Sequence, residues 1–238
     1  MDSGKLIIQK ISKKYLQAEK STFTVYAIAA CAVMALLFYQ SLHAAILKPR
    51  SQIHETLNQT ELEALQDGDI ILIQGILGSA DIIMNICAET VPLSHVGIIV
   101  NKNNTIFVIH TVNNTLSGID GMQMHEIHAF IERARPHSLI VVRPLWETTT
   151  QRAKALEYVQ QKLERRVPFD NAFNFFDDSA LYCTELLAHA LDCAGFWNSL
   201  QTGVFIKSIF VFSNFLNPQY YLPVLSHHPK FPLQKNFY

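Results

Sequence analysis

The sequence has 238 residues, a formal net charge of −1 at pH 7, 49% hydrophobic residues and 16% charged residues. This length fits one ordinary domain with appendages. The body that follows the basic N-terminal tail is mildly acidic, which argues against nucleic acid as a partner because nucleic acid needs a basic face. The four cysteines show no CxxC spacing, which argues against a structural zinc site. Whether Cys87 and Cys193 form a disulfide stays open.

The first 47 residues form a basic tail, 1–22, followed by an uncharged apolar segment, 23–47. The segment is long enough to cross a bilayer. A cleaved signal peptide is the alternative, but its apolar region would usually be shorter and no clean A-x-A site follows. The excess of lysines before the segment predicts a single-pass membrane protein. Its N-terminus would be cytoplasmic and its body extracytoplasmic, which means periplasmic in a bacterium.

A polar connector, 48–66, leads into a body that spans 67–238 and ends in an aromatic-rich extension. Apolar runs and helical periodicity predict the elements of this body. The predicted strands cover 70–74, 93–100, 105–110 and 138–144, with a further possible strand at 204–212. The predicted helices cover 80–88, 148–166 and 181–194.

Two β-branched runs, 93–100 and 105–110, flank an Asn-rich stretch and predict a β-hairpin. A symmetrically closed four-residue loop would pair Val100 with Thr105 and place His95 opposite His110. Two imidazoles side by side on an apolar sheet have two explanations. They are core histidines satisfied by hydrogen bonds, or a base and its orienting partner that await a nucleophile.

Cys183 falls in the first turn of the predicted helix 181–194. A helix N-terminus lowers the pKa of a thiol and offers free backbone N–H groups to an oxyanion. Helical spacing places Cys183 on the side of Leu186 and Leu187, and we expect that side to pack on the sheet where the histidines lie. A small buried cysteine is the plainer alternative. Cys183, His95 and His110 would supply nucleophile, base and orienting group.

Three segments carry a resemblance: DGDIIL at 67–72, SHVGI at 94–98 and YCTEL at 182–186. In this order they resemble the circularly permuted NlpC-type papain-like hydrolases, the YiiX/YaeF-like group. In ordinary NlpC-type enzymes the cysteine helix precedes the histidine strands. The resemblance implies Cys183 as nucleophile and His95 as base. It places His110 at the third polar position, where relatives often carry Glu, and Tyr182 as a possible contributor to the oxyanion hole.

These observations predict an α+β protein of permuted papain-like fold, with an antiparallel sheet packed against helices and one N-terminal transmembrane helix. The expected reaction is thiol-mediated hydrolysis or acyl transfer, with no metal or organic cofactor. The resemblance to NlpC-type enzymes implies an amide bond in a cell-wall peptide. The permuted order, the anchor and the aromatic tail suit an acylated lipid or an N-acyl group instead. A non-enzymatic envelope-binding module is a third alternative.

His125 and His128 have i, i+3 spacing and could form a metal pair, although a solvated helix face is the commoner explanation for such spacing.

Overall fold

The computed structural model describes residues 55–76, 91–113, 118–196, 205–206 and 209–233, all of which belong to one compact unit, Ile53–Tyr238. The predicted basic tail (1–22), the predicted anchor (23–47), the first part of the connector (48–54) and the predicted helix 80–88 lie outside these residues. Among the helices that are described, none combines the length and the apolar character needed to cross a bilayer.

A six-stranded antiparallel sheet forms the centre of this unit. The strands in chain order are β1 (Ile70–Ile73), β2 (His95–Lys102), β3 (Thr105–Val112), β4 (Gly121–Glu126), β5 (Ile140–Pro144), β6 (Phe205–Ile206), β7 (Ile209–Phe210) and β8 (Tyr221–Ser226). The sheet has the order β4-β3-β2-β1-β5-β8, and β6 and β7 pair separately. The predicted antiparallel sheet is therefore confirmed.

The helices of the described residues are α1 (Gln59–Ala64), α2 (Ile127–Ile131), α3 (Thr149–Glu164) and α4 (Cys183–Cys193), with a 3-10 helix at Phe212–Leu216. Thr148 caps α3, because its hydroxyl accepts from Gln151 N while the Gln151 side chain accepts from Thr148 N. α4 ends before Gly195, which has a φ of +74°. The predictions of helices over 148–166 and 181–194 are thus confirmed to within two residues at each end.

The sheet separates two hydrophobic clusters. On one side, which we call the α4 face, Val96, Ile98 and Ile109 pack with apolar residues of α3 and α4. On the other side, the α2 face, Ile99 and Val108 pack with apolar residues of α2. The alternation of side chains along a strand assigns each residue of β2 and β3 to one of these faces.

The hairpin between β2 and β3 is tighter than predicted. Asn103 and Asn104 form its two-residue turn, with φ values of 52° and 63°, and Lys102 pairs with Thr105. The predicted four-residue loop is wrong. A two-residue turn with positive φ at both positions matches the twist of the flanking strands, and Asn tolerates this conformation.

This turn shifts the register by two residues from the predicted pairing of Val100 with Thr105. Ile98 now pairs with Ile109, and a Cβ added to Gly97 would lie 3.2 Å from Cβ of His110. His95 is therefore diagonal to His110 rather than directly opposite. A shift of two residues leaves every side chain on its original face, because the side-chain period of a strand is two.

The aromatic C-terminal segment contributes an edge strand, which the sequence interpretation missed. β8 contains Pro223 and forms the edge of the sheet next to β5 among the described strands, so the missing N–H of proline costs no central hydrogen bond. The possible strand at 204–212 is instead the short β6–β7 hairpin followed by the 3-10 helix. Phe210, Phe212 and Phe215 are buried in the α4-face cluster, so this segment wraps the core.

The DGD turn of the family motif is anchored by Asp69, which is buried directly before β1. The guanidinium of Arg143 on β5 donates to both carboxylate oxygens of Asp69, at 2.7 and 2.8 Å. The backbone N–H of Gln66 donates to the same carboxylate at 2.8 Å. This arrangement ties the turn to β5 and places β1 in the middle of the sheet.

The beginning and the end of the described unit are bonded to each other. The imidazole of His227, just after β8, contacts Glu55 through Nδ1 and lies 2.9 Å from Glu61 Oε1 through Nε2. Glu61 belongs to α1, and its other carboxylate oxygen accepts from Asn58 N. His227 therefore holds the segment that precedes β1 against the strand that ends the sheet.

Gly121 at the start of β4 allows a close backbone contact. A Cβ at Gly121 would lie 2.3 Å from the carbonyl oxygen of Val167 and 2.8 Å from Cα of Pro168. Gly118 has a similar φ, +71° against +78°, but a Cβ there would meet nothing within 4 Å. The two glycines form a matched pair that separates backbone strain from steric overlap.

We expect Gly121→Ala to destabilise the fold by about 1–3 kcal/mol more than Gly118→Ala, since overpacking adds to the strain that both share. Urea unfolding of the full-length chain, followed by circular dichroism, measures this difference. Equal losses for the two variants would show that the segment at 167–168 moves away without cost.

Candidate active site

Cys183 is the first residue of α4 and is 7% exposed. The preceding residue, Tyr182, caps the helix in an extended conformation, and its N–H donates to Glu185 Oε2 at 3.1 Å. The backbone N–H groups in the first turn of a helix have no partner within the helix. The thiol thus lies beside donors that stabilise negative charge, on sulfur or on an oxyanion.

The side chain of Glu185 is fully buried behind this first turn. Burial raises the pKa of its carboxyl group. The hydrogen bonds from His189 and from Tyr182 N lower this pKa again, but they offset the effect of burial only in part. Nε2 of His189, one turn further along α4, lies 3.5 Å from Glu185 Oε1. Glu185 therefore fixes the start of the helix from within the core.

The hydroxyl of Tyr182 accepts from the backbone N–H of Phe210 at 3.3 Å, and the Tyr182 ring packs with Val211. This contact ties the helix cap to the β6–β7 hairpin. The contribution of Tyr182 to an oxyanion hole stays a prediction.

His95 and His110 are in direct contact. Nε2 of His95 lies 2.8 Å from Nδ1 of His110, and their rings meet edge to face. His95 is the first residue of β2 and is half-buried, while His110 on β3 is 1% exposed. Both rings pack against Phe130 of α2, with ring centroids 5.5 and 5.0 Å away.

A third imidazole extends this pair. Nε2 of His110 lies 2.8 Å from Nδ1 of His125, which is half-buried on β4. The three histidines come from three neighbouring strands and form one continuous hydrogen-bonded chain. The sequence interpretation paired His125 with His128 instead, but His128 is exposed on α2, and the ring contact of His125 is with His110.

Burial lowers the pKa of all three imidazoles, and the nearby guanidinium of Arg133 lowers each of them further. The pKa of His95 falls to about 4, that of His110 falls well below the ordinary value and that of His125 is lowered as well. Each ring is therefore neutral at pH 7 and carries one N–H.

The structure brings the two predicted histidines together. Cys183 packs in the α4-face cluster, whereas His95 and His110 contact Phe130, which belongs to the α2 face. The side chains of β2 and β3 that pack with α4 alternate along the strands with the two histidines, and the meeting of the Cys183 thiol with the His95 imidazole stays a prediction.

An antiparallel sheet whose histidine-bearing strands precede a helix that begins at a cysteine defines the class of permuted papain-like hydrolases. The family described as permuted papain-like amidase, YaeF/YiiX, C92, matches residues 64–201, more than half of the chain. The chain therefore belongs to this family of amidases, as the sequence motifs predicted.

Among solved structures, the chain is similar to the crystal structure of metalloprotein yiiX from Escherichia coli O157:H7. The TM-score is 0.53 with 16% sequence identity, and the match covers 69% of this chain and 98% of that chain. At this identity the likeness shows the fold alone. Comparison with curated proteins gives no match.

The sequence did contain a signal for the third imidazole. His95, His110 and His125 follow one another at intervals of 15 residues, across a two-residue turn between β2 and β3 and the longer connection 113–120 between β3 and β4. The regular interval was the available signal, but it could not be used because β4 was not predicted as a strand.

Proposed function

We propose that this chain is a membrane-anchored cysteine amidase that cleaves an amide bond in a cell-envelope peptide. Cys183 is the nucleophile, His95 the base and His110 its orienting partner. The single observation that carries the proposal is the position of Cys183 at the first residue of α4, in a chain of the permuted papain-like amidase family. The apolar segment 23–47 is the proposed anchor.

The first chemical step forms a thioester. The thiol proton of Cys183 passes to Nδ1 of His95, and the thiolate attacks the amide carbonyl carbon. Backbone N–H groups at the start of α4 stabilise the resulting oxyanion. His95 then returns its proton to the leaving nitrogen as the C–N bond breaks, which leaves the acyl group on Cys183.

The second step regenerates the enzyme. His95 takes a proton from water, the hydroxide attacks the thioester carbonyl, and the C–S bond breaks. The thiolate of Cys183 recovers its proton from His95, and the carboxylic acid product leaves. His95 is suited to this role because Nε2 is held by His110, so Nδ1 is the nitrogen that remains for proton transfer.

The mechanism requires the sulfur of Cys183 to reach Nδ1 of His95. Catalytic hydrogen bonds are often long in an enzyme without substrate and form in the substrate complex. His95 lies at the very start of β2, and Leu93 just before it packs in the same cluster as Cys183. The proposal therefore requires the thiol at the first residue of α4 to approach His95 at the end of β2.

The similar yiiX structure is that of a metalloprotein. Within the described part of this chain, no group of three or more His, Cys, Asp or Glu residues is arranged to hold a metal ion. Both nitrogens of His110 already face other imidazoles, so the three histidines do not converge on one point. The donor set of these three histidines therefore does not fit a metal ion.

One observation favours an acylated lipid as an alternative substrate. Phe176, in the loop that leads to α4, is 90% exposed. The exposed ring supplies apolar surface that a lipid acyl chain can contact. An acyl chain could rest against Phe176 while its ester or amide carbonyl reaches Cys183.

A substrate screen tests the proposal. The purified full-length chain and its Cys183→Ala variant are incubated separately with cell-wall peptide fragments and with acylated lipid vesicles, and the products are identified by mass spectrometry. We expect cleavage of the peptide fragments by the wild type only. Turnover confined to the lipids would establish the alternative, and we would then expect Phe176→Ser to reduce it while Leu145→Ser, also exposed, does not. No Cys183-dependent turnover of either class would refute the enzyme and favour a binding module.

A further inference from the structure

The two hydrogen bonds that link the histidines on β2, β3 and β4 must run in the same donor-to-acceptor direction, and this follows from their geometry. His110 is the middle ring, and its two nitrogens face one nitrogen of His95 and one of His125, at 2.8 Å each. A neutral imidazole has one donor nitrogen and one acceptor nitrogen. His110 must therefore donate to one neighbour and accept from the other.

Only two arrangements satisfy both contacts. In the first, Nε2 of His95 donates to Nδ1 of His110, and Nε2 of His110 donates to Nδ1 of His125, so that every ring is an Nε2–H tautomer. In the second, both bonds are reversed and every ring is an Nδ1–H tautomer. The tautomers of the three histidines are thus linked, and a change at His125 is transmitted to His95.

The two arrangements differ in the protonation of Nδ1 of His95, the nitrogen at the open end of the row of histidines. In the first, Nδ1 of His95 carries a lone pair and can accept a proton. In the second, Nδ1 of His95 is already an N–H group and cannot act as a base. A histidine held in the wrong tautomer is a poor general base even where its position is unchanged.

We propose that His125 is a positioning residue that sets this direction. It accepts the hydrogen bond from Nε2 of His110 at its own Nδ1, fixes all three rings as Nε2–H tautomers and leaves Nδ1 of His95 available as the base. This inference rests on the function proposed above. It adds a fourth residue to the site, one that does not touch the substrate.

Burial explains why the acceptor on His125 matters. His110 is 1% exposed, so an N–H on its Nε2 without a partner has no water to bond. The cost of leaving a buried donor unpaired lowers the population of that tautomer of His110 by about tenfold or more. Without an acceptor at residue 125, His110 avoids that state by moving its proton to Nδ1, which forces His95 into the Nδ1–H form.

Imidazole ¹⁵N spectra of the full-length chain, labelled with ¹⁵N-histidine, report which nitrogen of each ring carries the proton. In the wild type we expect Nε2–H on His95, His110 and His125. In His125→Leu we expect His95 to shift to Nδ1–H and kcat to fall about tenfold with KM unchanged. In His125→Asp an acceptor-only carboxylate near the position of Nδ1 should restore Nε2–H on His95 and bring kcat back to within about threefold of wild type.

His128→Leu is the matched control, because His128 lies three residues further on and is exposed. It should leave both the spectra and kcat unchanged. The inference is overturned by an Nδ1–H tautomer on His95 in the wild type, or by an unchanged His95 tautomer in His125→Leu. Should His125→Leu fail to fold, the wild-type assignment and the His125→Asp variant decide the question.

The spectra also separate this inference from the proposed function. Cys183→Ala should retain the wild-type tautomers although it is inactive. A chain that turns over no substrate but shows Nε2–H on all three histidines would refute the proposed enzyme and leave the histidine arrangement standing. Activity that depends on Cys183 but not on residue 125 would refute only the role of His125.

Discussion

Replacing Cys183 with alanine should abolish both hydrolysis and covalent labelling by a thiol-reactive acyl probe. Loss of a covalent nucleophile typically lowers kcat by at least about 1,000-fold, because the remaining groups act only as a binding site and an oxyanion hole. Peptide mapping by mass spectrometry after treatment with a limiting amount of probe identifies the labelled cysteine. The expected label in the wild type is on Cys183.

Cys193 provides the control within the same helix. It is exposed at the end of α4, and partial burial together with the charge of Asp192 raises the pKa of its thiol. It therefore has neither the helix N-terminus nor the thiolate character of a nucleophile. Cys193→Ala should keep the labelling and activity of the wild type to within about twofold. Equal labelling of the two variants would show that Cys183 is not the nucleophile.

Replacing His95 with glutamine should lower kcat by about 100- to 10,000-fold, the usual contribution of a general base. Glutamine keeps a polar group that can bond His110 but cannot accept and return a proton. His128→Gln, a change at an exposed histidine outside the chain of imidazoles, should have no such effect. Activity that survives in His95→Gln would assign the base to another residue.

The pH profile gives an independent test of the same residue. Burial, reinforced by the charges of Arg133 and His125, lowers the pKa of His95 from 6.5 to about 4. The base is unprotonated above its pKa, so kcat/KM of the wild type should persist through pH 5 and fall only as the pH approaches about 4. An acid limb near pH 6.5 would instead indicate an exposed imidazole.

The stability of the fold must be followed over the same pH range. A histidine whose pKa is lowered by folding binds fewer protons in the folded state than in the unfolded state. The contribution of His95 to the free energy of unfolding is therefore fully present above pH 6.5. Below that pH the free energy of unfolding declines by about 1.4 kcal/mol per pH unit for His95 alone. Circular dichroism at each pH distinguishes a loss of base from a loss of fold.

The elements that the sequence predicted well are those with a strong local pattern. α4 carries small and apolar residues at helical intervals and ends at a glycine, and β2 and β3 are runs of β-branched residues around a turn. β4 was missed because its sequence, GMQMHE, lacks β-branched residues. Its alternation is nevertheless informative, since Met122 and Met124 pack with the α4-face cluster while His125 bonds to His110 on the other face.

The proximity of His95 and His110 could be predicted although the register was wrong, because an error of two residues preserves the face of a strand. The face covered by α4 could not be predicted. β2 is apolar on both sides, with Val96 and Ile98 on one and Ile99 on the other. A strand buried on both faces contains no local signal for which side a distant helix will occupy.

The contact between His227 and Glu55 helps to explain why circular permutation is compatible with this fold. A folded unit whose first and last segments lie together can be reopened elsewhere with little disturbance of its interior. Joining these ends with a short linker and opening the loop at 145–148 would yield a polypeptide that begins with α3 and α4. The helix that begins at Cys183 would then be synthesised before the histidine strands, which is the order in ordinary NlpC-type enzymes. The order of the elements along the chain and their packing in space are therefore separable in this fold, and rearrangement of the one need not disturb the other.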